Sequence, residues 1–202
     1  MEAILVGYSG HGLVVAETAM IMGINIFGYT DITKKNKNPY KFKHLGYEKS
    51  KNFKYWDKNK KYILGIGSNL SRSKTFNFIK AKGHYFLKII SPNASISKFS
   101  IIGEGTFIAR NVTINPFTEI GDYCIINSSS SIDHECVLSD GVHIAPGAIL
   151  CGNVRIGKNT FIGANSVLKE GVEVGENSII GAGSVVLSNV KKNSVVYGRP
   201  AK

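Results

Sequence analysis

Proline is scarce in this chain, with five residues in 202 against 22 glycines. An unstructured, turn-rich coil raises both together, so the glycines serve specific backbone positions. Cysteine is scarcer still: Cys124, Cys136 and Cys151 are an odd number without metal-ligand spacing, and they fit small buried residues in a reducing compartment. No stretch reaches the roughly 18 apolar residues of a membrane-spanning helix, so no membrane insertion is expected. The start, Met1-Glu2-Ala3-Ile4-Leu5-Val6-Gly7, is acidic and lacks a basic region ahead of its apolar run. It reads as a short strand, not a signal peptide, and the expected location is cytoplasmic. Apolar residues are not lacking: 43% of the chain is hydrophobic and 10% aromatic, which excludes disorder and supplies one sizeable core or two modest ones.

Charge divides the chain. Residues 1–89 carry 16 Lys/Arg against 5 Asp/Glu, whereas residues 90–202 carry 9 of each, so the whole excess of +11 is N-terminal. Eleven of the lysines fall within 34–61, interleaved with Tyr40, Phe42, Tyr47, Phe53, Tyr55 and Trp56. A basic surface suits an anionic ligand such as a sugar nucleotide, and a solvated lysine- and asparagine-rich surface accounts for it too. No nucleic-acid motif accompanies it, and no nucleic-acid partner is expected.

A repeat fixes the second half. Stepping by six from Ile90 through Ile108, Ile126, Leu138, Leu150 and Ile162 to Val186, all 17 positions are Ile, Leu or Val. Four residues after each stands Ala, Ser, Thr, Val or Cys. A large and a small residue thus point inward from each short strand. This period is neither an amphipathic helix nor a free strand; it is that of a hexapeptide β-helix, three strands per coil, with about five and a half coils between 90 and 190. Three residues after the inward aliphatics stand Gly105, Asn111, Gly141, Gly147, Asn153, Asn159, Asn165, Gly171, Asn177, Gly183 and Asn189, residue types that tolerate the positive φ of a tight corner. Four consecutive corners break the rule, at Phe117, Tyr123, Ser129 and Glu135. Local rules fail most often at functional sites. This window holds Asp133-His134-Glu135, with His143 following; a solvated turn is the plain alternative.

The first half reads as alternating strands and helices. A buried strand at 3–7 runs into Gly7-Tyr8-Ser9-Gly10-His11-Gly12, a helix over 13–22 and a strand over 24–29 that leads to Asp31. A third strand covers 63–66, followed by Gly67, a helix over 72–82 and a last strand over 85–89. The alternation implies a parallel sheet with its binding site at the strand C-terminal ends. The glycine turn bares N–H groups at a helix start, where phosphate binds. Asp31 stands 21 residues after Gly10, the spacing of a ribose- or base-binding carboxylate. Fewer than 90 residues fit one mononucleotide half and not a dinucleotide fold.

Together the two halves resemble the sugar O- and N-acyltransferases of the sialic acid O-acetyltransferase type, and within them the bacterial UDP-4-amino-sugar N-acetyltransferases. The resemblance rests on Ser9-Gly10-His11-Gly12, Gly65-Ile66-Gly67, Asn127-Ser128-Ser129-Ser130, Asp133-His134-Glu135-Cys136, His143, Gly152-Asn153-Val154-Arg155-Ile156-Gly157 and Gly198-Arg199-Pro200-Ala201-Lys202. It implies a small Rossmann-like nucleotide-sugar-binding domain over 1–89 and a left-handed parallel β-helix over 90–202. It also implies acetyl-CoA as co-substrate with no metal, a nucleotide-linked amino sugar as acceptor with UDP favoured, and a homotrimer. By resemblance His134 is the general base and Glu135 the carboxylate that raises its basicity. Asn127 and Asp133 line the same pocket, with Asp133 standing where relatives carry Glu. His143 meets the thioester, and Gly152, Ala164 and Ala182 follow the CoA arm. Ser9, Gly10, His11, Asp31, Ile32 and Gly67 form the nucleotide-sugar site, and Ile32 departs from a second acidic residue there.

The chemistry is coherent on its own terms. A histidine takes the proton of an amine or hydroxyl that attacks a thioester, a carboxylate steadies the imidazolium, and donors meet the oxyanion. Inward positions for the cysteines argue against a cysteine nucleophile. Three other readings compete: O-acetylation of sialic acid or a related surface sugar, a zinc β-helix enzyme, and a non-catalytic sugar-nucleotide binder. Zinc requires three histidines at such a site, and the repeat supplies only His134 and His143.

Overall fold

The computed structural model describes residues 2–57 and 59–202. It opens with three parallel strands, β1 (Glu2–Val6), β2 (Asn25–Thr30) and β3 (Lys61–Leu64), in the order β2-β1-β3. Helix α1 (Gly10–Ile21) crosses from β1 to β2, and helix α2 (Asn69–Lys80) follows β3. The expected strand at 85–89 reduces to one bridge between Tyr62 and Phe86. The chain then enters the repeat at Ile89–Ile90.

From there two-residue strands run to Val195–Val196 and stack into a parallel β-helix of about six turns. Its three faces have seven, six and five strands. On the seven-stranded face the outward residues Ile89, Phe107, Ile125, His143, Phe161 and Ile179 pair in order, one coil being 18 residues. Inward aliphatics from Ile108 through Ile144 to Val186 are 0–2% exposed. Small hydroxyls beside them donate to a carbonyl at the next coil's corner, as Thr106 does to Gly121 at 2.9 Å and Thr160 to Gly175 at 2.8 Å. The packed interior therefore leaves these polar atoms satisfied.

Corner backbones follow the residue rule with two exceptions. Ten of the twelve Gly and Asn corners have φ between +55° and +70°, as do Phe117, Ser129 and Glu135, with Tyr123 at +44°. Asn93, at the entry to the repeat, and Asn189 do not. After Val186 the ladder shortens: Val174 bridges Val190 and Ile179 pairs with Val195, sixteen residues on instead of eighteen. The positive φ moves to Asn193, and the Asn189 side chain accepts the Glu173 N–H at 2.9 Å.

The two units share a core. Residues of β1 and α1, including Leu5, Val15 and Ala16, belong to the same buried cluster as Phe107 and Ile125. The first unit thus covers the N-terminal part of the seven-stranded face. The basic segment is more than a solvated run. Tyr29 donates to Lys43 and Leu45 donates to Tyr29, both at 2.9 Å, which covers the free edge of β2. Phe53 and Trp56 pack at 5.0 Å, and Trp56 stacks on His84 at 5.1 Å. Lys60 and Lys82 lie over the Phe27 and Trp56 rings.

Candidate functional site

The Asp133-His134-Glu135 run occupies the corner between Ser131–Ile132 and Val137–Leu138, that is, between the six- and five-stranded faces. His134 Nδ1 lies 3.0 Å from Glu135 Oε2. A carboxylate there takes the N–H, which leaves Nε2 with its lone pair. Both side chains are at least half exposed. Asp133 Oδ1 accepts from Asn115 Nδ2 at 2.7 Å and from the His134 N–H at 2.8 Å. These bonds hold its carboxyl below the usual range. The imidazole lies over Gly152 on the next coil: a Cβ built there would stand 2.6 Å from His134 Cε1 and 2.8 Å from Nε2. Gly152 is therefore the floor that lets the ring lie down.

His143 is elsewhere. It projects from the seven-stranded face toward the first unit, edge-on to Phe161 at 4.9 Å. Its Nε2 is buried without a partner among the described residues, as is Nε2 of His11. Burial, reinforced by the Arg72 charge, pushes the His143 imidazole down to about 3 and that of His11 down to about 4. Both rings are neutral at pH 7, so each carries a single N–H. Beside His143 a cavity of about 440 Å³ opens between Gly67–Leu70 and Asn159, Phe161, Asn177 and Ile179.

A second cavity, also about 440 Å³, lies at the C-terminal ends of the three parallel strands. Gly7, Thr30 and Gly65 stand at those ends. Helix starts at Ser9 and Ser68 face it, and neither helix has an acidic residue in its first turn to offset the dipole. Lys35, Lys49 and Lys74 line it with Asp31 and Glu48. Asp31 accepts the Tyr8 N–H at 3.2 Å and the Ile32 N–H at 2.8 Å, and pairs with Lys35 at 2.9 Å. Gly7 has φ +88°, and a Cβ on Gly12 would meet the Gly7 oxygen at 2.5 Å, so the turn passes tightly under α1. Gly10 has nothing within 4 Å of its Cβ position and stays open for a ligand's approach. The two cavities adjoin through Gly67 and Ser68.

The expected site residues thus fall into separate groups. Ser9, Asp31, Ile32 and Gly67 line the strand-end cavity, with Gly10 beside it near Ser9. His11 turns away to meet Phe107 edge-on at 5.3 Å. Asp133, His134, Glu135 and Gly152 share one corner. Asn127, Ala164 and Ala182 share the preceding corner, between the seven- and six-stranded faces. Cys124 and Cys136 are inward, and burial pushes their thiols up to about 12 and about 11, which disfavours the thiolate. No cluster of three or more metal-ligating side chains occurs among the described residues, and no helix among them is long and apolar enough to cross a membrane.

Sequence reasoning missed Arg72. It is 1% exposed and spans the seam between the units. Its Nε donates to the Tyr123 carbonyl at 2.7 Å, Nη2 to the Gly141 carbonyl at 2.8 Å and to Asn69 Oδ1 at 3.0 Å, and Nη1 to the Gly67 carbonyl at 2.9 Å. One signal was available: among 16 basic residues in 1–89 it is the lone arginine. A forked guanidinium can satisfy several carbonyls at once where a lysine cannot.

Comparison with known proteins agrees with this architecture. Residues 2–79 match the PglD N-terminal domain. Residues 99–134 and 135–170 match the bacterial transferase hexapeptide (six repeats), and 153–188 the hexapeptide repeat of succinyl-transferase. A curated GDP-perosamine N-acetyltransferase of Escherichia coli O157:H7 is 35% identical over 106 residues, 52% of this chain and 48% of that protein. The match spans about half the length of that relative. Among solved structures, the acetyltransferase domain of PglB from Neisseria gonorrhoeae with acetyl coenzyme A is 29% identical, covering 100% of this chain and 98% of that one at a TM-score of 0.90. PerB from Caulobacter crescentus, solved with CoA and GDP-perosamine, is 27% identical, covering 100% and 96%, also at 0.90. The chain therefore joins a PglD-type N-terminal domain to bacterial transferase hexapeptide repeats, and over its whole length it is similar in fold to the two solved acetyltransferases.

Proposed function

We propose that the protein transfers an acetyl group from acetyl-CoA to the amino group of a nucleotide-linked 4-amino-4,6-dideoxy sugar by direct attack, with His134 as general base. The observation that carries the reading is the His134–Glu135 pair at 3.0 Å with Nε2 free. The amine nitrogen attacks the thioester carbonyl, His134 Nε2 takes the amine's proton, and the thiolate of CoA leaves. Glu135 steadies the imidazolium as it forms. Donors for the thioester oxygen, where negative charge develops, come from His143 or from backbone N–H groups.

The strand-end cavity supplies what a nucleoside diphosphate needs: two helix starts, three lysines and a carboxylate at the end of β2. The sequence resemblance favours UDP, whereas the curated relative and the solved PerB complex carry GDP-perosamine in their names. One chain keeps His134 and this cavity on different sides of the β-helix, since the first unit covers the seven-stranded face and the base sits at the opposite corner. A closed trimer, in which one chain's corner meets its neighbour's cavity and His143, unites them.

The test is turnover of acetyl-CoA with UDP- and GDP-linked 4-amino-4,6-dideoxy sugars and with sialic acid, using wild type and His134→Ala. His134→Ala should lower kcat by roughly 10²–10⁴ with acetyl-CoA binding retained. Retention of more than about a tenth of the activity places the base elsewhere. Transfer to sialic acid alone establishes the O-acetyltransferase reading instead. Light scattering that reports a monomer at micromolar concentration removes the composite site.

A further inference from the structure

Four positive-φ corners of the β-helix carry neither Gly nor Asn, and three are accounted for by their surroundings. Tyr123 is buried against Phe76 at 4.5 Å and offers its carbonyl to Arg72. Ser129 is a small exposed residue whose N–H caps the Arg110 carbonyl at 3.0 Å. Glu135 holds His134. Phe117 remains. Its backbone lies in the left-handed region at φ +62°, where a bulky side chain is disfavoured, yet its ring is 64% exposed and recovers little by burial. It stacks on Phe99, itself 58% exposed, with centroids 5.7 Å apart and planes 28° apart. Ile101 beside them is 64% exposed.

The position is specific. Phe117 stands one coil below Glu135 in the same corner series, and the Glu135 N–H donates to the Pro116 carbonyl at 3.1 Å. The positions above Glu135 in that series are Asn153 and Gly171, which leave no comparable surface. The base is thus floored by Gly152 on one side and bordered by an aromatic ledge on the other. Lys98 Nζ lies 5.0 Å from the Phe99 ring centre, so a cation follows the ledge at one ring's distance from Phe117.

We propose that Phe117, backed by Phe99, is the platform on which the acceptor sugar lies while its amine meets His134, with Lys98 beside the first phosphate. This rests on the acetyl-transfer reading. A dideoxy sugar presents an apolar C–H face and a methyl group, which suit an aromatic surface. Its diphosphate is joined directly to the ring, so platform and cation are spaced for a nucleotide sugar. In acetyl-CoA the diphosphate lies a whole pantetheine arm away from the thioester. Phe117 positions the acceptor and performs no proton transfer.

The experiment compares wild type, Phe117→Asn and Phe117→Tyr. Asparagine keeps the left-handed corner, as at Asn153, and removes the ring; tyrosine keeps the ring. Steady-state kinetics should show KM for the nucleotide-linked amino sugar raised about tenfold in Phe117→Asn, the loss of roughly one aromatic contact. KM for acetyl-CoA should stay within about twofold by the same reasoning, and Phe117→Tyr should restore the acceptor KM. Unchanged acceptor KM in Phe117→Asn overturns the proposal. So does a change in oligomeric state by light scattering, which assigns the ledge to a second copy of the chain. Calorimetric binding of the unreacted nucleotide sugar to wild type and Phe117→Asn separates the two claims. Binding that depends on Phe117 without turnover in wild type sinks the acetyl-transfer reading and leaves the platform standing.

Discussion

Replacing Arg72 by methionine should uncouple the two units. The guanidinium holds the Tyr123 and Gly141 carbonyls of the β-helix and the Gly67 carbonyl of the first unit, all within 2.9 Å. Methionine fills much of the same volume and leaves those three acceptors without this donor. An orphaned buried carbonyl costs about 1–3 kcal/mol. Against that, the substitution releases a buried charge whose hydrogen-bond partners are carbonyl and amide oxygens and no carboxylate, and the cost of that burial shows in a guanidinium pulled down to about 10. Charge relief returns a few kcal/mol. The net loss should be about 3 kcal/mol, and it falls on the seam. Trp56, the single tryptophan, packs within the first unit against Phe53 and His84. Its fluorescence reports that unit, while amide protection of the two-residue strands, read by pulsed hydrogen exchange, reports the β-helix. In urea the two signals should move together in wild type, because one buried cluster runs through both units. In Arg72→Met the Trp56 transition should come at lower urea than the loss of strand protection. Coincident transitions with a loss under about 0.5 kcal/mol would refute the reasoning.

Acid should weaken the same seam. His143 and His11, held near 3 and 4 by burial, stay unprotonated in the folded protein where the unfolded chain takes up protons near 6.5. Stability is therefore full above about pH 6.5 and falls as pH drops toward 4, by at most about 1.4 kcal/mol per pH unit for each ring. Urea midpoints at pH 7 and 5 test this, and His143→Gln should roughly halve the slope; a flat profile is the contrary result. Gly152→Ala places a methyl 2.6 Å from His134 Cε1, and turnover should fall roughly 10- to 100-fold with an unchanged dichroism spectrum. Undiminished turnover means that the imidazole works from another rotamer.

The β-helix is legible because its rule is local and repeated. Each inward aliphatic from Ile108 to Val186 meets the same environment one coil above and below, so a period in sequence becomes a period in space. The rule lapses where that environment ends. Beyond Val186 no further full coil constrains the spacing, and a two-residue shortening moves the corner from Asn189 to Asn193. The first unit was legible in its strand–helix order, with boundaries displaced by one to three residues, as at α2, which starts at Asn69. Arg72 escaped because helical periodicity describes only which face is buried. It does not reveal that the buried face meets bare corner carbonyls, which call for a donor in place of an aliphatic.

The separation of the site residues follows from the same geometry. Three strands turn the chain once in 18 residues, so the nine residues from His134 to His143 are half a coil. Two side chains so spaced point away from a closed prism in opposing directions, and no rotamer brings them together. The corner break at Glu135 gives one edge the His134–Glu135 pair, while the row Phe107, Ile125, His143 and Phe161 makes the opposite face apolar enough to seat the first unit. Charge follows suit: the +11 lies in the unit whose cavity joins two helix starts to Lys35, Lys49 and Lys74, and the β-helix is balanced. Under the proposed reaction the anion-binding and proton-transfer surfaces of one chain cannot serve the same substrate. In the proposed trimer, rotation about a symmetry axis parallel to the β-helix brings one chain's edge to its neighbour's face, and association is then a condition of the proposed reaction and not an accessory to it.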